Sequence, residues 1–202
     1  MEALTIDDLL PLDEYAGRRR EFFTAHTRYL DRYRRVRIGP RVTLLFENRQ
    51  TLWFRVQEVL RVARLTEPAR VRDELELYNR LLPRRDQLQA SLIVRPADEA
   101  RPTQEIAFWQ ELRGSDLCLH LGPARYPANL LTCRPEDRCA GTAHWVQFVL
   151  DPLGRELLAD FRQPAHFALA LPAYPHDSGP LSEEVRQSLL DDLALSDRDR
   201  GR

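Results

Sequence analysis

Lysine is missing altogether: among 202 residues the 30 basic side chains are all arginine. Any grip on phosphate or carboxylate therefore falls to the planar guanidinium fork, which an ammonium cannot match. Arginine, alanine and proline also dominate over isoleucine and asparagine in chains from GC-rich genomes, so arginine abundance alone assigns no function. The formal net charge of −1 excludes the strong basic excess of a dedicated nucleic-acid-binding domain. No apolar run approaches the roughly 20 residues needed to cross a bilayer. The opening MEALTIDDLLPLDEY is acidic, where a secretory leader begins basic. A soluble, cytoplasmic chain without membrane insertion is the expectation. The cysteines number only three, Cys118, Cys133 and Cys139, an odd set that argues against a disulfide framework. Also absent are a glycine-rich strand-to-helix turn, a Gly-x-Ser-x-Gly elbow, a P-loop and a His-Glu-x-x-His helix. Their absence removes the familiar signatures of dinucleotide binding, serine hydrolysis, phosphate cradling and zinc proteolysis.

What is present fits a folded domain. Apolar residues make up 43% of the chain, ample for one buried core. One domain over residues 1–202 is expected, with a helical arm at 1–37 and a frayed tail at 196–202. Charge is unevenly spread: Gly17–Arg41 carries nine arginines against Glu21 and Asp31, whereas Asp177–Arg202 carries seven acids against four arginines. The two ends can attract each other, within one chain or between subunits.

Periodicity sets the elements. Thr5 caps a short turn stopped by Pro11. Tyr15, Phe22, His26, Tyr29 and Tyr33 then recur at helical spacing with arginines opposite, which predicts a helix from Asp13 to about Arg35. Ile38-Gly39-Pro40 breaks it, and Val42, Leu44 and Phe46 alternate as a strand. A helix starting at Asn48 or Thr51 follows through Leu52, Trp53, Val56, Val59, Leu60 and Ala63, and another opens at Pro68 and runs through Val71, Leu75, Tyr78 and Leu81. Beyond these, strands are expected at Leu88–Val94, Leu117–Leu121, Thr142–Leu150 and His166–Leu171. Helices are expected at Gln104–Arg113, capped by Thr103, from Asp151-Pro152, and at Glu183–Leu195, capped by Ser182. Gly122–Gly141 reads as a long irregular loop. The order predicts an α+β fold: a mixed or antiparallel sheet of about five short strands, interleaved helices and an N-terminal arginine-rich helix.

Three constellations carry potential chemistry. Glu47, Arg49, Gln57, Glu58, Arg61, Tyr78 and Asn79, with His144 farther on, form either a ligand pocket or a buried hydrogen-bonded network joining strand to helix. Arg28, Arg32, Arg34 and Arg35 make a basic face for a partner. Cys118, His120, Cys133, Cys139 and His144 contain the residue types that zinc and iron prefer, yet no Cys-x-x-Cys knuckle occurs. No metal is favoured and no cofactor is expected.

The run Leu44-Leu45-Phe46-Glu47-Asn48-Arg49, then Val56-Gln57-Glu58-Val59-Leu60-Arg61, Glu74-Leu75 and Tyr78-Asn79, resembles the uncharacterised bacterial family catalogued as domain of unknown function 3501. Leu4-Thr5-Ile6-Asp7-Asp8-Leu9-Leu10 and Glu14-Tyr15 are similar to that family's opening, Thr142–Phe148 and Pro172-Ala173-Tyr174 more weakly to later segments. Where relatives place Asp-His before Pro-Ala-Tyr, this chain has Ala170-Leu171. The resemblance implies no assigned activity. It does imply an accessory role beside iron–sulfur oxidoreductase or rubrerythrin-like redox proteins, whose genes accompany the family's. Three function classes follow: an accessory protein docking to such a partner, a small enzyme built on Gln57, Glu58, Arg61 and His144, and a nucleic-acid binder using the basic helix.

Overall fold

The computed structural model describes residues 1–95, 107–131 and 143–198. Helix α1 (Leu12–Tyr29) continues into one wide π turn, Leu30–Arg34, and the chain then extends as β1 (Arg35–Ile38). The helix expected to run to about Arg35, with a break at Ile38, gives way to a strand from Arg35. Val36 and Ile38 alternate inward between Arg35 and Arg37, the pattern of a strand with β-branched residues on its buried face. Strand β1 pairs antiparallel with β2 (Val42–Phe46). Gly39 turns the hairpin at φ +60°, and a Cβ there would sit 2.6 Å from the His176 ring, so both conformation and space require glycine.

Helices α2 (Arg49–Ala63) and α3 (Pro68–Asn79) follow, then β3 (Gln87–Val94), β4 (Leu117–Leu121), β5 (Ala124–Pro127), β6 (Asn129–Leu130) and β7 (Ala143–Val149). Helix α4 (Pro152–Ala159), β8 (Ala165–Leu171), β9 (Tyr174–Asp177) and α5 (Glu183–Arg198) complete the chain. The α+β expectation holds. The described strands form two sheets, β1-β2-β3-β7-β6 and β5-β4-β8-β9, antiparallel throughout. Part of the expected loop after Gly122 is strand: Gly122-Pro123 makes a two-residue turn, and Leu121 pairs with Ala124. Positive φ at Gly122 supplies the geometry such tight hairpins need. The remainder of that loop, 132–141, lies outside the described residues, as do 103–106 of the helix expected after Thr103, of which 107–110 are helical. The last helix extends through Arg198, into the segment expected to fray, and 199–202 are not described.

The sheets pack face to face. Val42, Leu44, Phe46, Leu88, Leu92, Val146 and Phe148 of one meet Leu117, Leu119, Leu121, Phe167 and Leu169 of the other in a single buried cluster, as alternation with one apolar face dictates. Tyr174 ties them at one corner, its hydroxyl donating to the Ile38 carbonyl at 2.8 Å and accepting from the Arg41 amide at 2.9 Å. A second cluster, around Leu4, Leu52, Val56, Leu60, Val71 and Leu75, joins the N-terminal segment to α2 and α3. Helix α1 lies against α2, where Tyr15 stacks on Phe22 and Trp53 meets both rings edge-on. No helix among the described residues is long and apolar enough to cross a membrane.

Candidate functional site

The polar residues singled out between Glu47 and Asn79 are all held, but in separate places. Asn48 follows β2 by two residues and caps α2, its Oδ1 accepting from the Thr51 amide at 3.1 Å. That start aims Glu47 beneath the helix. Its carboxylate, 1% exposed, accepts from Thr51 Oγ1 at 2.6 Å and Ser91 Oγ at 3.1 Å, and Arg55 Nη2 lies 2.7 Å away. Glu58, further along α2, faces α1 and gathers Arg19 (2.9 Å), Arg61 (3.1 Å) and the Tyr15 hydroxyl (2.9 Å). Asn79 pairs both ways with the Leu4 backbone at 2.8 Å, and Arg49 meets Asp8 at 2.6 Å. Gln57 is buried toward the N-terminal segment, its Nε2 3.5 Å from the Leu10 carbonyl oxygen.

His144 belongs to neither group. In register it opposes Leu92, a residue of the buried face between the sheets, whereas its neighbour Trp145 opposes Ser91 on the helix-covered face. A strand sends successive side chains to opposite faces, so the sheet itself separates His144 from Glu58 and Arg61. The expected pocket of Gln57, Glu58, Arg61 and His144 is corrected on that ground.

Burial opposes the charge on Glu58, but hydrogen bonds from Arg19, Arg61 and Tyr15 outweigh it and hold the carboxyl at about 2. A group whose pKa falls on folding adds stability above its unfolded value and loses it as the pH drops toward the folded one. Glu58→Gln is therefore expected to cost about 1–2 kcal/mol near pH 6, reduced from the full shift because solvent reaches the cluster. The difference from the parent should shrink steadily between about pH 5 and 2. Urea unfolding across that range measures it, and a cost independent of pH would contradict the assignment.

Three residues of the predicted set, Glu47, Glu58 and Tyr78, do share one cleft, of about 330 Å³, between α1, α2 and the outer face of the first sheet. Sequence reasoning missed its other polar walls. His26 stacks on Phe54 with ring centroids 4.0 Å apart, and burial, with Arg55 and Arg35 adding to it, pushes its pKa down to about 4. Arg55 spans Glu47 and Ser91 and lies over the Trp145 ring at 5.3 Å. His26 sits in the aromatic stripe of α1, which made it look like core. Arg55, three residues from Leu52 and from Glu58, carried no signal of its own.

The arginines of the basic segment divide. Arg34 is buried: both its side chain and that of Asp192 on α5 are nearly sealed from solvent, and the two form an ion pair. Its expected place in a docking face is corrected accordingly. The attraction between the basic and acidic ends thus acts within one chain. Arg28 and Arg32 are exposed on α1 and the turn after it. Arg35 pairs with Asp31 at 2.6 Å and, with Arg37, Arg41 and Arg95, lines a groove of about 570 Å³ along the β1–β2 edge. No carboxylate is among the described residues lining that groove. Thr43, Leu45 and Ile93 form its floor. A larger cavity, about 670 Å³, opens beside Arg34 and Asp192 between Tyr29, Tyr33 and the acidic face of α5.

Of the sulfur and imidazole set, Cys118 and His120 share the outer face of β4, while His144 points between the sheets. Cys133 and Cys139 lie outside the described residues. Among the described residues no group of three or more His, Cys, Asp and Glu side chains could hold a metal.

Comparison with known proteins gives a family and a fold. The family model described as protein of unknown function (DUF3501) matches residues 3–193. A crystal structure of a novel protein of unknown function from Burkholderia pseudomallei K96243 superposes with a TM-score of 0.85 at 25% identity, covering 95% of this chain and 100% of that one. No curated protein matches this chain.

Proposed function

This chain belongs to the DUF3501 family, whose description assigns no activity, and we propose that it is a binding protein that docks an acidic partner surface along its arginine-lined edge. The observation that carries the reading is the groove whose walls bring Arg35, Arg37, Arg41 and Arg95 together beside the edge strand of the first sheet. Guanidinium groups are the better ligands for carboxylates and phosphates because each offers two parallel donors. Arg41 and Arg95 are held in place by backbone carbonyls, Arg41 Nε by that of Arg95 at 3.1 Å and Arg95 Nη2 by that of Pro40 at 3.3 Å. Preorganised donors lose less side-chain entropy on binding. Strand β1 ends its sheet, so an acidic segment can approach from the side, and Arg28 and Arg32 extend the positive field toward α1. The partner class is an iron–sulfur or rubrerythrin-like redox protein, as the family resemblance implies. An enzymatic role gains no support from the predicted set, since the sheet divides His144 from Glu58 and Arg61.

Charge reversal at Arg32, Arg37 and Arg95 tests this. All three side chains are exposed, so the variant should unfold within about 0.5 kcal/mol of the parent per site. Binding to a purified rubrerythrin-like protein, followed by interferometry, is expected to weaken at least about tenfold, mostly through slower association, and to lose most of its salt dependence. Undiminished affinity in the triple variant would sink the proposal. Tighter, steeply salt-dependent capture of a single-stranded RNA probe would transfer the groove to nucleic acid.

A further inference from the structure

On the second sheet, His120 of β4 and His166 of β8 stand directly opposite each other in antiparallel register. Their rings lie parallel within 12°, centroids 4.7 Å apart. Both are half-buried on the face turned away from the core, while Leu119 and Phe167 beside them point inward. Ala168 and Ala170 continue that face along β8 and leave space on that side, while Arg125 of β5 stands opposite His120 on the other. We propose that His120 and His166 form a two-imidazole site for a borderline divalent cation such as Ni2+, Cu2+ or Zn2+, with water completing the coordination.

The argument is geometric. Imidazole nitrogens bind these metals at about 2.0–2.1 Å, which sets two neighbouring donors about 3 Å apart. Directly opposed residues of antiparallel strands carry Cβ atoms about 4.5–5.5 Å apart, so rotation about the side-chain torsions brings one nitrogen of each ring to a common point without moving the backbone. Imidazole suits nickel, copper and zinc alike, with copper the tightest of the three. Cys118 shares the face, but its thiol is 3.7 Å from the Leu119 carbonyl oxygen, to which it donates, so two imidazoles define the site. His166 lay outside the cysteine and histidine set read from the sequence, because only strand pairing brings it to His120.

Ni2+ alone is the suitable probe, since thiols reduce Cu2+. Calorimetric titration of the full chain is expected to show one Ni2+ per chain, with paramagnetic broadening falling first on the His120 and His166 ring resonances. His120→Gln and His166→Gln should each weaken binding at least about tenfold. Both positions face solvent, and thermal unfolding of the variants checks that the fold is kept. His176→Gln, on the exposed part of β9, should leave binding unchanged. Equal affinity in the double variant His120→Gln/His166→Gln, or a loss confined to His176→Gln, would overturn the site and leave the two rings as a cross-strand stacking pair.

Discussion

Asp192→Ala is expected to lower the free energy of unfolding by about 3–5 kcal/mol, the range found when one partner of a sealed ion pair is removed. Arg34 and Asp192 have side chains 3% and 4% exposed, so deleting the carboxylate leaves a nearly sealed guanidinium without its ion-pair partner. The loss reaches further than one pair. Arg34 Nη2 donates to Asp192 Oδ1 at 3.1 Å and Nε donates to the Tyr29 hydroxyl at 2.9 Å, while Asn48 Nδ2 donates to the same hydroxyl at 2.8 Å. The network therefore fastens the end of α1, the cap of α2 and the last helix. Urea denaturation at constant pH measures the effect. Arg34→Leu with Asp192→Leu should recover most of it, because two apolar side chains remove both desolvated charges together. A cost below about 1 kcal/mol for Asp192→Ala would place the pair among solvated surface bridges.

Phe167→Ala should cost a similar amount, about 3–5 kcal/mol, by opening a cavity between the sheets. Phe167 is fully buried, and its ring lies 5.3 Å from Phe46 and 5.0 Å from Phe148. It is the contact through which β8 grips β2 and β7. Truncation removes apolar area and leaves a void that rigid strands on both sides cannot close. Phe167→Leu keeps most of the volume and is expected to lose no more than about 1.5 kcal/mol. An unchanged denaturant slope in both variants would show that the transition stays cooperative. A cost for Phe167→Ala near that of an exposed site would mean that the sheets do not pack as described.

Local chemistry made much of this legible in advance. Asp151 caps α4 by accepting from the Gly154 amide at 2.7 Å, and Ser182 caps α5 by accepting from the Val185 amide at 3.3 Å. Val42, Leu44 and Phe46 are buried as their alternation required. Caps and periodicities act within a few residues, so they survive in the order of side chains. Arg35–Ile38 is strand where helical periodicity runs on to about Arg35, because an arginine run continues a helix face as readily as it lines a strand edge. Only pairing with Val42–Leu45 selects the strand.

The sequence by itself determined the α+β class, the starts of α4 and α5, most element positions and the opposite charges at the two ends, all of which depend on neighbours along the chain. Tertiary structure alone decided which face of each strand met which sheet, and so put Glu58 and His144 on opposite sides, Arg34 inside and Arg37 outside, and His120 against His166. Those outcomes depend on register, and shifting a strand by one residue reverses every side chain on it.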